Sequence, residues 1–192
     1  MGQYYKAALI REDEIKVISP SGWKMMEHCW YGNTDMKRVE KLLSEKKWRV
    51  IWVWDYSQCA CFVWWDTPLQ PEKTWEDDYE ADDLLEMDMD DVNIEKVYYL
   101  VNHTRKEFIN MTKQRINKNL EDGYGWVVHP LPLLCRAETE EAWWDYRSEV
   151  NQNLLWLWCW DEISIDIYDW LKEEEFKYFE YQDRTDVYFF KE

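Results

Sequence analysis

Apolar and polar positions along this chain predict more strands than helices. Gln3 to Ile10 and Glu14 to Ser19 are rich in β-formers and flank the polar turn Arg11-Glu12-Asp13, the pattern of an N-terminal hairpin. Pro20-Ser21-Gly22 breaks it, and Lys24 to Cys29 then predicts a short helix ending near Gly32-Asn33. Met36, Val39, Leu42 and Leu43 recur at three- and four-residue intervals behind Asp35, a good N-cap type. That spacing predicts a helix over 36–46 with an outer face of lysine and glutamate. Arg49 to Tyr56 follows without polar alternation, as a strand covered on both faces requires, and Phe62 to Trp65 offers it a partner after a turn.

From Thr67 to Asp91 the texture changes. Pro68 and Pro71 bracket a break, and acids then dominate. Trp75, Tyr79, Leu84, Leu85 and Met87 share no narrow helical face and aspartate is a poor helix former, so the expectation is a short helix inside an exposed, mobile excursion over 67–92. Lys96 to Thr104 is a strand pattern with Lys106 to Asn110 as its hairpin partner, and Thr112 to Leu120 reads as helix or loop. Pro130 and Pro132 exclude a central strand beyond His129 and predict an extended edge or a buried loop. Leu154 to Ile165 predicts a core strand, Ile167 to Glu174 a short helix, and Phe176 to Tyr181 with Val187 to Phe190 a closing hairpin. The class implied is α+β: one domain, a mixed, mostly antiparallel sheet, a few short helices and an acidic insertion.

One dipeptide recurs at the ends of apolar runs. Trp54-Asp55, Trp144-Asp145 and Trp160-Asp161 each repeat the same design, a buried run followed by a turn led by aspartate. If their strands are neighbours, Asp55, Asp145 and Asp161 gather at one end of a sheet, an arrangement that binds a hard cation such as Mg²⁺ through oxygen. His103, Arg105, His129 and Arg147 would complete a phosphate-handling or hydrolytic site. The competing reading gives each aspartate a turn with its own backbone and makes His129, before a proline in an apolar run, a buried hydrogen-bonded residue. A serine-nucleophile elbow, a Walker loop and a dinucleotide fingerprint are all missing, and Glu86, Asp88, Asp90 and Asp91 lack the glycine and terminal glutamate of a calcium loop.

Charge adds a second class of function. The net charge of −17 is not spread evenly: residues 72–91 hold eleven acids and Lys73, residues 161–192 hold eleven acids and four basic residues, and the remainder balances at eighteen against eighteen. No basic stripe exists, which argues against direct nucleic-acid binding. Glu76, Asp77, Asp78, Glu80, Asp82, Asp83, Glu86, Asp88, Asp90 and Asp91 are instead candidates to bind a protein partner, a basic or nucleic-acid-binding host protein. On a helix of about 1.5 Å per residue their density approaches one charge per roughly 3 Å, near the phosphate spacing of one DNA strand, as a DNA mimic would use. A solvated acidic loop is the plainer alternative.

Five cysteines with one close pair, Cys59-Ala60-Cys61, and three histidines fit reduced thiols better than a disulfide framework or zinc site. No apolar run reaches membrane-spanning length and the first residues lack the regions of a secretory signal, so the expectation is a cytoplasmic chain with no membrane partner and no cofactor under the binding reading.

Several short words, taken in order, carry a resemblance. They are Met1-Gly2-Gln3-Tyr4-Tyr5-Lys6, Met26-Glu27-His28, Asn102-His103-Thr104-Arg105-Lys106-Glu107-Phe108, Gly125-Trp126 through His129 to Leu134, Asp145-Tyr146-Arg147 and Trp158 to Asp161. Together the chain resembles a family of uncharacterised proteins from phages, prophages and scattered bacteria, which implies a mobile-element origin and no particular activity. The resemblance also implies glycine where this chain has Trp54, Trp143, Trp144 and Trp160. Composition points the same way: five glycines stand where average usage of about 7% gives roughly thirteen, beside fifteen tryptophans. A tight turn before aspartate often needs positive φ, which glycine supplies and tryptophan resists. Two explanations stand open, namely UGA codons meant as glycine but read as tryptophan, and a true tryptophan-rich core.

Overall fold

The structure, a computed structural model, describes residues 4–18, 24–55, 72–75, 96–115, 126–137, 154, 156–169 and 177–189. Tyr5–Ile10 (β1) and Glu14–Ile18 (β2) form the expected antiparallel hairpin, closed by Arg11 N–H to Glu14 O at 2.9 Å. β1 also pairs with Trp48–Trp54 (β3), whose Val50 and Trp52 enter one core cluster while Ile51 and Val53 enter another, so this strand is covered on both faces as its unbroken apolar run predicts. Lys96–Asn102 (β5) forms a hairpin with Glu107–Asn110 (β6) and lies antiparallel to Glu162–Asp169 (β7). With edge strands Glu72–Trp75 (β4) and Gln182–Asp183 (β8), each in parallel pairing, the order is β4-β2-β1-β3-β7-β5-β6-β8. The class is α+β, with a mixed sheet in which antiparallel pairs predominate.

Helices pack on one face of this sheet. Met25–His28 (α1), Thr34–Glu45 (α2), Met111–Arg115 (α3), Pro130–Cys135 (α4) and Thr185–Phe189 (α5) are the helices among the described residues. Met36, Val39, Leu42 and Leu43 of α2 are buried in the main cluster with Leu9, Val50, Trp52, Leu100, Ile163 and Ile165 of the sheet. The cap differs by two residues from expectation: Asn33 Oδ1 accepts from Asp35 N at 2.8 Å and Met36 N at 3.4 Å, while Asp35 is buried and holds Arg38 at 3.2 Å. The opposite face carries two smaller clusters, one of them Tyr99, Val101 and Phe108 under Tyr178. Among the described residues, no helix is long and apolar enough to cross a membrane.

Five expectations need correction. The run Pro130-Leu131-Pro132 is helical, because both prolines fall in the first turn, where backbone N–H groups have no partner to lose. Leu154 and residues 156–160 are not in a strand: 156–160 turn, and Leu154 and Trp158 are buried in the main core while β7 begins only at Glu162. β7 then runs to Asp169 in register with Lys96, so no helix starts at Ile167. Finally, Glu72–Trp75 is a strand, so the acidic stretch begins in the sheet, and Thr185–Phe189 is helical where a closing hairpin is expected. The acids from Glu76 to Asp91, the 59–61 cysteine pair and the Phe62 to Trp65 strand lie outside the described residues.

Candidate functional site

At one end of the sheet the β5–β6 turn meets the start of β7. His103 N donates to Glu162 O at 2.8 Å, and Glu162 N donates to Thr104 Oγ1 at 2.9 Å, so the two segments are stitched by backbone and hydroxyl together. Asp161 sits in this corner. Its Oδ2 accepts from Asn102 Nδ2 at 2.9 Å and from Arg105 Nε at 2.6 Å, and Asn102, wholly buried, uses its own oxygen to accept from Arg105 N at 2.9 Å. The carboxylate is therefore a cross-brace between strand and turn, its Oδ2 held by a charge-assisted bond to Arg105 and by the Asn102 amide.

His103 points to the other face of the sheet. Its Nε2 lies 2.8 Å from Ser164 Oγ, its Nδ1 lies 3.4 Å from Tyr181 Oη, and the rings of Tyr178 and Tyr181 stand at 6.1 Å from it. Burial lowers the pKa of this imidazole, helped by Lys47 and Lys177 and opposed by Glu162 and Asp166. An unprotonated imidazole beside a serine hydroxyl is the chemistry of a base and its nucleophile. Ser164, however, is only 5% exposed and lies in mid-strand, opposite Val101 of β5. Beside it, Asp166 accepts from Tyr178 Oη and pairs with Lys177 Nζ at 3.0 Å.

His129 belongs to a different place. Its Nδ1 accepts from Leu131 N at 3.1 Å, capping α4, so Nε2 carries the proton and donates to Glu40 Oε1 at 3.0 Å. Both side chains are buried, and Tyr31, whose pKa burial and Glu40 push well up, packs on the ring at 4.6 Å. Asp55 is elsewhere again: its Oδ1 accepts from Tyr4 N at 3.3 Å and its N donates to Tyr4 O at 3.0 Å, tying down the start of β1. Trp160 N bonds to Val50 O, and Asp55 lies five residues farther along the chain, just past the end of β3, which separates the two aspartates by about 16 Å at 3.3 Å per residue. They cannot share one ion, since ligand bonds span about 2.0–2.6 Å. Asp145 and Arg147 lie outside the described residues.

Beside the Asp161 corner runs a groove of about 540 Å³, lined by Arg11, Glu12, Asp13, Lys47, Arg49 and Glu162. Three cations against three acids give it no single-sign field to select a charged ligand. Among the described residues, no three His, Cys, Asp or Glu side chains converge to hold a metal ion. Sequence reasoning singles out Asp161, His103 and Arg105 but misses Asn102, Ser164, Tyr178 and Tyr181, which complete their surroundings. It also misses Glu107, a buried hub that accepts from Trp158 Nε1 at 3.1 Å, Tyr188 Oη at 3.0 Å and Arg184 Nε at 3.0 Å. Pairing of β5 with β7 places Ser164 beside Val101, and pairing of β6 with β8 brings the C-terminal segment to Glu107; no local spacing encodes either pairing. Comparison of the chain with protein-family models, curated proteins and solved structures finds no match.

Proposed function

We propose that this chain acts by binding rather than by catalysis, as an accessory protein borne by a phage or other mobile element, in the cytoplasm of its host. Its partner is a basic surface of a host protein, one that itself handles nucleic acid, and the contact needs no cofactor. The observation that carries this reading is the segregation of charge: eleven acids against one lysine in residues 72–91, in a chain that is neutral outside its two acidic segments. What supports it further is the employment of the catalytic candidates. Asp55 Oδ1 accepts from Tyr4 N, Asp161 Oδ2 from Asn102 and Arg105, and the two ring nitrogens of His129 meet Leu131 N and Glu40, which are bonds the fold itself uses.

The test is capture from an extract of the natural host by the full chain. Replacing Glu76, Asp77, Asp78, Glu80, Asp82, Asp83, Glu86, Asp88, Asp90 and Asp91 by their amides is expected to abolish capture of the partner, and duplex DNA is expected to displace the partner from the unaltered chain in a salt-dependent way. Capture that survives neutralisation refutes the reading.

A further inference from the structure

Two turns in tandem lead the chain into β7. Leu157 N bonds to Leu154 O at 3.4 Å across the first, and Asp161 N bonds to Trp158 O at 3.0 Å across the second. The third residue of each turn is a tryptophan in the left-handed region: Trp156 at φ 76° and Trp160 at φ 67°. A positive φ at that corner is glycine's place, because a Cβ there crowds the neighbouring carbonyl, a penalty worth about tenfold in a folding equilibrium.

Neither indole recovers this by burial, since Trp156 is 45% and Trp160 39% exposed. The tryptophan between them behaves in the opposite way: Trp158 is wholly buried, its N–H bonds to Leu134 O at 2.9 Å and its indole bonds to Glu107. Among the described residues, positive φ occurs at Gly32, Lys106 and these two tryptophans. Lysine at the last position of the 103–106 turn is an uncommon occupant of that region, and a bulky indole at two corners four residues apart is the sharper outlier. An aromatic docking pair is the rival explanation, and it gives no reason for both anchors to sit where only a hydrogen side chain is comfortable.

We infer that positions 156 and 160 are glycines in the protein as its own cell makes it, and that the tryptophans arise from reading UGA as tryptophan where that cell reads glycine. Such a reading converts glycine to tryptophan at every UGA codon and leaves UGG codons alone. It therefore accounts at once for five glycines beside fifteen tryptophans and for two misfits on either side of a tryptophan the core requires. The backbone does not extend the inference to Trp54, which is an extended residue of β3, and Trp143 and Trp144 lie outside the described residues. It extends instead to Trp156, which no Trp-Asp step marks. With glycine at 160, the residue before Asp161 carries no side chain, and the corner loses an exposed indole.

The gene and the recombinant full chain test this separately. Codons 156 and 160 are expected to be UGA, with UGG at 48, 52 and 158; UGG at either 156 or 160 overturns the inference. In urea unfolding, Trp156→Gly and Trp160→Gly are each expected to raise the folding equilibrium constant about tenfold, while Trp158→Gly lowers it. Midpoints that fall for both corner variants, as for Trp158→Gly, overturn its steric basis.

Discussion

Asp55 and Asp161 follow tryptophan in the same two-residue word, each at the end of an apolar run, and the fold uses them in unlike ways. Asp55 leaves an extended strand and takes one N–H, that of Tyr4, at 3.3 Å. Asp161 is delivered by a left-handed residue and takes two donors, one from the wholly buried Asn102 at the end of β5 and one from Arg105 in the turn that follows. The histidines divide in the same manner: His129 is sealed under α2 and α4, while His103 stands at the sheet's rim facing tyrosines. A short word thus specifies a turn but not its employment, which depends on what the sheet order brings alongside.

The contrast between the histidines predicts the largest effect. His129→Ala leaves the buried Glu40 carboxyl without its imidazole donor and α4 without its cap, and is expected to cost about 3 kcal/mol or more in denaturant unfolding. A loss no greater than that of a surface substitution would show that the interior pair is not formed. The aspartates come next. Asp161→Ala strands the Asn102 amide and is expected to cost about 2 kcal/mol, against about 0.5 kcal/mol for Asp55→Ala. Equal costs would erase the distinction drawn between the two turns.

The smallest effect is one of pH. Because the folded His103 has its pKa lowered by burial, the unfolded chain binds more protons in the window below its ordinary value of 6.5. Stability from this residue is complete above that value and falls with pH through the window, down to the folded pKa. His103→Gln is expected to flatten that part of the profile, measured as urea midpoints between about pH 5 and 7.5. An unaltered slope would place the titration on another group.

Legibility in the sequence followed the range of the physics. The N-terminal hairpin, α2 and the β5–β6 pair were readable because turn residues and apolar spacing act within a dozen positions. α4 was not, since proline excludes a strand as firmly as it permits the first turn of a helix. Leu154 to Trp160 misled for another reason: burial of Leu154 and Trp158 is achieved by a folded-back turn, and hydropathy reports burial without reporting its geometry. At the site, Asp161 and His103 were visible as residue types, but Ser164 became their neighbour only through pairing with Val101 across β5 and β7.

The last strand of the sheet bears on how the molecule behaves in company. β6 would present its outer backbone to solvent, yet Lys106 O accepts from Gln182 N and Phe108 O from Arg184 N, both at 2.9 Å, while Asn110 N donates to Thr185 Oγ1 at 2.7 Å. These three bonds occupy alternate positions along the rim, so a two-residue strand and one threonine hydroxyl do the work of a full-length neighbour. An exposed rim of this kind recruits strands from other chains and seeds aggregates. The C-terminal segment thus covers the outer backbone of β6, and shortening the chain there would open that rim to strands from other chains.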